Sequence, residues 1–325
     1  MEYHVIDVAC TTSNPYVRHT GAMLHSLLAH TPADSVRVNI LHLSPIGAEE
    51  RGRFEHVTKG AALRFFHIPD SAVAGLPLGY FSKENWLRIF LPELMPSEDK
   101  VIYLDSDLII TDDLSPLWQI PLRDHPLAAV TNPFYPFMAP HYRTVGIEDA
   151  RDYFNSGVLP MNLDLMRREG FADRIWDFAR RNPELKASDQ DALNVVCRDR
   201  WLRLHPRWNV QSPMFECKAA ELPLPTEEVA EALASPAIIH YIGASKPWHY
   251  QCTHPKRALY AAHARMTPWG EAPLIGRNLR TMVLRRLPQS WTYRSAAWTS
   301  VLRDGWAAVR GRKRRKKPEA SVGAV

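Results

Sequence analysis

The chain has 325 residues, 46% hydrophobic and 23% charged, with a formal net charge of +5. These values fit one large domain, or one domain plus an appendage, and exclude a collagen-like or wholly disordered chain. The net charge hides an asymmetry: thirteen of the 40 bases but two of the 35 acids lie from Arg277 onward, leaving the body about −6 and the tail about +11.

In chain order, residues 4–10 form an apolar run and a first strand. Residues 16–30 follow as a helix with Val17, Leu24, Leu27 and Leu28 on one face. A strand at 36–43, a helix at 46–58 and a strand at 62–67 continue a β-α-β-α-β rhythm. That rhythm predicts an α/β fold with a parallel sheet and helices on both faces. Residues 82–94 read as a helix ending before Pro96, and 101–104 as a central buried strand. Further strands are expected at 127–131 and 158–161, then an amphipathic helix at 163–181 anchored by Leu165, Met166, Ile175, Trp176 and Phe178. Ser188 is placed as the cap of a helix at 189–197, and 237–241 is the last strand. Proline-rich patches at 222–225 and 267–273 mark loops, the second bounding a main domain of 1–270 and a tail of 271–325.

Cys10, Cys197, Cys217 and Cys252 are scattered without metal-ligand spacing, as free thiols in a reducing compartment would be. The first residues carry acids where a signal peptide needs bases, and no stretch reaches the ~20 apolar residues of a membrane span. The expectation is a cytosolic protein.

The most informative segment is Val101-Ile102-Tyr103-Leu104-Asp105-Ser106-Asp107. Four apolar residues end in two carboxylates at the carboxyl end of a strand, where open α/β sheets bind ligands. Two such acids repel unless a cation joins them, and hard oxygen donors suit Mg²⁺ or Mn²⁺ bridging a diphosphate. A D-x-D triplet alone also arises in capped turns and in phosphatases that form an aspartyl-phosphate. Here Leu108, Ile109 and Ile110 follow, and the pair lies about a hundred residues into the chain, after three expected strands, which sets it apart from the phosphatase pattern. A second dense segment runs from Ile238 to His249. Within it, His240 ends an apolar strand, Gly243 allows close backbone approach and Lys246 offers a point charge for phosphate.

Together these segments resemble family 8 of the retaining glycosyltransferases, which has the GT-A fold. The nearest likeness is to bacterial lipooligosaccharide and lipopolysaccharide α-galactosyltransferases and glucosyltransferases. Six elements match in order over residues 3–255: Trp86-Leu87-Arg88 to Pro92, Tyr103 to Asp107, Leu114 to Trp118, Tyr153 to Leu159, Asp189 to Asn194, and His240 to Trp248. The resemblance implies a GT-A-type, Rossmann-like, mostly parallel sheet. It implies Mn²⁺ (or Mg²⁺) on Asp105, Asp107 and His240, gripping the diphosphate of a UDP-sugar, with Lys246 and the Gly243 backbone on phosphate. Arg88 and Ser106 would also serve the donor, Asn132, Asn155 and Asp189 would hold sugar hydroxyls, Gln190 would sit beneath the anomeric carbon, and Asp189 and Gln190 would be the catalytic pair supporting an oxocarbenium-like state. Thr11, Ser13, Asn14 and Tyr16 would cradle uridine, although Ser13 and Pro15 stand where the family often carries Asp and Asn. The implied reaction is transfer of galactose or glucose, with retention, to a saccharide or glycolipid acceptor. A phosphatase and a non-catalytic carbohydrate- or membrane-binding protein are the rival classes.

In the tail, residues 277–287 and 298–309 read as amphipathic helices, and a run of bases follows from Arg310 to Lys317. Aromatics and bases at helical spacing suit an anionic membrane surface, so attachment to the inner leaflet is expected and nucleic acid is not.

Overall fold

The computed structural model describes residues 5–79, 82–136, 140–243 and 245–286. The strands are β1 (Ile6–Thr11), β2 (Val36–His42), β3 (Ala62–His67), β4 (Lys100–Leu104), β5 (Leu108–Ile110), β6 (Ala128–Ala129), β7 (Val158–Asn162), β8 (Leu202–Arg203), β9 (Val210–Gln211) and β10 (Ile238–His240). The main sheet has the order β3-β2-β1-β4-β7. Its first four strands are parallel and β7 runs antiparallel to β4. A smaller sheet, β5-β10-β9, lies at the carboxyl end of β4 in the chain path.

Burial explains why β4 reads as a continuous apolar run. Val8, Cys10, Ile102 and Leu104 join one core and Ala9, Val101 and Tyr103 another, so alternate residues of β1 and β4 face two covered sides. Each fully buried aliphatic side chain contributes ~1.5–3 kcal/mol, which makes this strand pair a firm mount for whatever follows it.

The first five elements fall within two residues of the expected ends. Other expectations are corrected. Residues 82–94 form a 3₁₀ helix, Lys83–Phe90, and then a single α turn, Leu91–Leu94. Pro92 lacks an N–H and its ring would meet the carbonyl of Arg88, so an unbroken α-helix cannot pass. The expected helix at 163–181 is two helices, Leu163–Arg168 and Phe171–Arg181, parted at Gly170, whose φ of 61° is left-handed. The strand at 127–131 shortens to β6, with single bridges at Leu127 and Thr131. Ser188 does not cap the next helix. It is the first residue of Ser188–Val196, at φ 52°, and Asp191 Oδ2 instead accepts the Ala187 N–H (2.8 Å).

In the tail, Leu279–Leu284 is helical, while the expected helix at 298–309 lies outside the described residues. No described helix is long and apolar enough to cross a membrane. All four cysteines are free.

Candidate metal and donor site

The chain leaves the main sheet at Leu104, turns through Asp105-Ser106-Asp107 and enters the smaller sheet as β5. There β5 pairs antiparallel with β10, with His240 opposite Leu108, and the Tyr241 N–H donates to the Asp107 carbonyl (3.1 Å). That register carries a residue from late in the chain onto the acidic turn. One ligand atom from each of Asp105, Asp107 and His240 lies within 4.8 Å of the others. His240 Nε2 is 3.2 Å from Asp107 Oδ1 and 3.9 Å from Asp105 Oδ2.

Gly157 closes the opposite wall. Its carbonyl accepts the Asp105 N–H (2.9 Å), and a Cβ built on it would lie 2.3 Å from His240 Cε1 and 2.8 Å from Asp105 Oδ2. Two carboxylates and an imidazole converging on one point, with the wall stripped to a glycine, fit a divalent cation of the Mn²⁺ or Mg²⁺ kind.

Lys246 Nζ bonds to Asp107 Oδ2 and donates to the Tyr241 carbonyl (2.9 Å). Burial alone would raise the Asp107 pKa. The charges of Lys246 and His240 outweigh it and hold the carboxyl well below the ordinary range. Burial opposes the Lys246 charge, yet Asp107 keeps its pKa raised.

A second charged centre lies behind the first. The Arg88 side chain has no exposed surface. Its Nη2 donates to Asp105 Oδ1 (3.0 Å), its Nη1 to the Ser156 carbonyl, and its Nε to the Asn85 carbonyl (3.0 Å). Tyr103 donates to the same Asp105 oxygen (3.0 Å) and its ring lies under the guanidinium, 4.2 Å from the carbon. Burial disfavours the guanidinium charge, but Asp105 and Asp189 more than restore it and raise the pKa. Asp189 Oδ2 is 3.0 Å from Arg88 Nε, while neither Asp189 oxygen accepts a hydrogen bond from the described residues. The pair is therefore a contact of charges, and burial pushes the Asp189 carboxyl up to about 7 against the pull of Arg88.

Amides from four segments complete the site. Asn155 Nδ2 donates to Asn132 Oδ1 and to Gln190 Oε1 (both 3.3 Å). Gln190 Oε1 also accepts the Ser156 N–H (3.0 Å), and its Nε2 donates to Tyr153 Oη (3.1 Å). Tyr153 donates in turn to Asp191 (2.7 Å). Asn209, absent from the sequence expectations, links His240 to Asn155.

The expected residues divide clearly. Asp105, Asp107, His240, Lys246, Arg88, Asp189, Gln190, Asn155 and Asn132 occupy one connected region. Thr11 joins it through Tyr103 (3.0 Å). Ser106 does not present a free hydroxyl: it donates to the Thr11 carbonyl (2.6 Å) and meets Thr20 Oγ1 (2.9 Å), tying the acidic turn to the first helix. Ser13 and Asn14 lie in the turn before Tyr16. Burial, opposed by the charge of Lys246, raises the Tyr16 pKa. Gly243 takes φ 87° in the turn after β10. Trp248 serves packing, stacked on His19 at 3.5 Å with its edge to Tyr16 at 5.8 Å. Trp118, Trp176 and Trp208 also pack against the core. Tyr103, Tyr153, Gly157 and Asn209 carry no site assignment in the sequence reading, because their roles come from partners distant in the chain.

Residues 7–252 match the model for glycosyl transferase family 8. General stress protein A of Bacillus subtilis (strain 168) is 29% identical, over 81% of this chain and 93% of that protein. Lipopolysaccharide 1,3-galactosyltransferase of Salmonella typhimurium is 23% identical, over 78% and 76%. Among solved structures, galactosyltransferase LgtC in complex with donor and acceptor sugar analogues superposes with a TM-score of 0.74 at 26% identity, covering 81% of this chain and 96% of that one.

Proposed function

The chain belongs to glycosyl transferase family 8, and from that premise we propose that it transfers a hexose, galactose or glucose, from a UDP-sugar to a saccharide or glycolipid acceptor with retention. The observation that carries this reading is the convergence of Asp105, Asp107 and His240 beside Lys246 and the Asn132–Asn155–Gln190 amides. When bound there, Mn²⁺ or Mg²⁺ would supply positive charge to the departing diphosphate. Lys246, tethered through Asp107, adds a second positive charge on the same side. Arg88 fixes Asp105 and faces Asp189 from a fully buried position, so the carboxylates are held in place before a donor arrives.

Sugar hydroxyls need acceptors and donors at defined points. Asp189 brings two buried oxygens that accept no hydrogen bond from the described residues, and Asn132 and Asn155 bring amides. Gln190 is oriented by the Ser156 N–H and Tyr153, and it supports the positive character that grows at the anomeric carbon. The acceptor hydroxyl enters from the face the diphosphate leaves.

The described part of the tail supports membrane contact. Leu279, Met282 and Val283 are exposed on a helix bounded by Arg285 and Arg286. Flotation with anionic but not neutral liposomes is expected, and equal recovery with both removes the electrostatic part.

The central test is a donor screen with Mn²⁺ that follows release of UDP from several UDP-sugars. Hydrolysis or transfer from one hexose donor, abolished by chelation, is expected. Full turnover after thorough chelation, or phosphomonoester hydrolysis in its place, overturns the reading. Asp189→Asn and Gln190→Ala should each lower turnover more than donor binding.

A further inference from the structure

Two backbone N–H groups fix the direction of every hydrogen bond between the metal triad and the sugar-facing amides. The Gly157 N–H donates to Asn155 Oδ1 (3.0 Å), and a backbone N–H can only donate. The atom of Asn209 that meets the same oxygen at 2.9 Å must therefore be its amide nitrogen. Asn209 Oδ1 is then the atom 3.0 Å from His240 Nδ1, and that ring nitrogen must carry a proton. The far end agrees independently. The Ser156 N–H donates to Gln190 Oε1, so the group of Asn155 facing that oxygen is again the nitrogen. Asn209 has no exposed surface, so water cannot replace either of its bonds.

We propose that Asn209 is a positioning residue with two separable tasks: its oxygen sets the Nδ1–H tautomer of His240, leaving Nε2 for the cation, and its nitrogen orients Asn155 toward Gln190. The inference rests on the proposed glycosyl transfer only for its second task. The first concerns metal binding and stands without any donor. Partners of this kind, holding a ligating histidine through its second nitrogen, typically change metal affinity by 10–100-fold when removed.

The two tasks are separated by two substitutions. Asn209→Ala removes both bonds. Asn209→Asp keeps an acceptor for His240 Nδ1–H but has no N–H for Asn155. Mn²⁺ affinity is read on the full chain by electron paramagnetic resonance of free Mn²⁺, and UDP release is measured at saturating Mn²⁺ with the preferred donor. Asn209→Ala should bind Mn²⁺ 10–100-fold more weakly. Asn209→Asp should bind it within about threefold of the parent yet show a kcat reduced about tenfold or more, the range lost when a reacting group is misplaced. A folded Asn209→Ala chain with parental Mn²⁺ affinity overturns the first task. If that variant does not fold, Asn209→Asp decides alone: loss of Mn²⁺ binding overturns the first task, and parental kcat overturns the second. Weakened Mn²⁺ binding by Asn209→Ala in a chain whose parent turns over no UDP-sugar would sink the glycosyl-transfer reading and leave the metal-positioning role standing.

Discussion

The sharpest test of the metal triad is the smallest change, Gly157→Ala. The φ of Gly157 lies outside the left-handed region, so alanine meets no backbone strain and the effect is that of one methyl group. That methyl would sit 2.3 Å from His240 Cε1, 2.8 Å from Asp105 Oδ2 and 2.9 Å from His240 Nδ1. Carbon atoms settle at about 3.5–4.0 Å, so the ring must retreat by more than ~1 Å. His240 has little room to retreat: it is held by Asn209 on Nδ1 and by the β5–β10 register through its backbone. Metal sites hold their ligand distances to about ±0.2 Å, so the displacement removes the imidazole as a ligand or breaks its link to Asn209. Mn²⁺ affinity should fall at least tenfold and turnover about 100-fold, with about 1–3 kcal/mol of stability lost to overpacking. Calorimetric Mn²⁺ titration, UDP release and urea unfolding measure the three. Gly52→Ala is the control, because a Cβ there meets nothing within 4 Å and its helix, Ala48–Val57, should gain ~0.5–1 kcal/mol. A Gly157→Ala chain with parental Mn²⁺ affinity and turnover would show that His240 and Asp105 do not share a cation.

Other outcomes follow from the same geometry. Arg88→Met leaves Asp189 buried without its counter-charge and should cost about 3–5 kcal/mol in urea unfolding, while adding Asp189→Asn should recover part of the loss. If the double variant is no more stable than the single one, the Arg88–Asp189 contact is not what the arginine supports. Burial lowers the His254 pKa to about 4 and the His19 pKa to about 3. Both folded values lie below the ordinary 6.5, so this stability is whole above pH 6.5 and is lost as pH falls toward the folded values; at pH 5 each group costs about 2 kcal/mol. His254→Phe, packed among Phe215 and Tyr241, should flatten the stability profile between pH 6.5 and 4, and an unchanged slope would refute the assignment. UDP binding, measured by calorimetry, should weaken at least tenfold after chelation, the lower range of coupling between linked ligands.

The main sheet was legible because β1, β2, β3 and β4 carry apolar runs long enough to show their period, and the acidic turn was legible because it interrupts one of them abruptly. What escaped the sequence was short or unaccompanied. β5, β8 and β9 have two or three residues each, too few for alternation to be seen. Yet β5 supplies the register that sets His240 on Asp107. Gly170 broke a convincing amphipathic stretch, because a hydrophobic pattern continues in phase across a single left-handed residue. For Arg88 the sequence shows a charge but not its neighbours, and in the structure its N–H groups meet Asp105, the Ser156 carbonyl and the Asn85 carbonyl. Residue type predicted its charge, and only tertiary context could show which partner would claim it.

The charges of the site explain why donor and cation should depend on each other. Asp105, Asp107 and, when ionised, Asp189 bring three negative charges, and Arg88 and Lys246 bring two positive ones. Arg88 is wholly buried and committed to two of those carboxylates, and Lys246 to the third. Left to these residues, the site is neutral to slightly negative. A diphosphate entering it would add two more negative charges at short range, where each uncompensated pair is strongly unfavourable in a poorly solvated pocket. A divalent cation held by Asp105, Asp107 and His240 would cancel that addition charge for charge. Such a site would favour the pair over either ligand alone, because Asp105, Asp107 and His240 would hold the cation and its charge would offset that of a diphosphate.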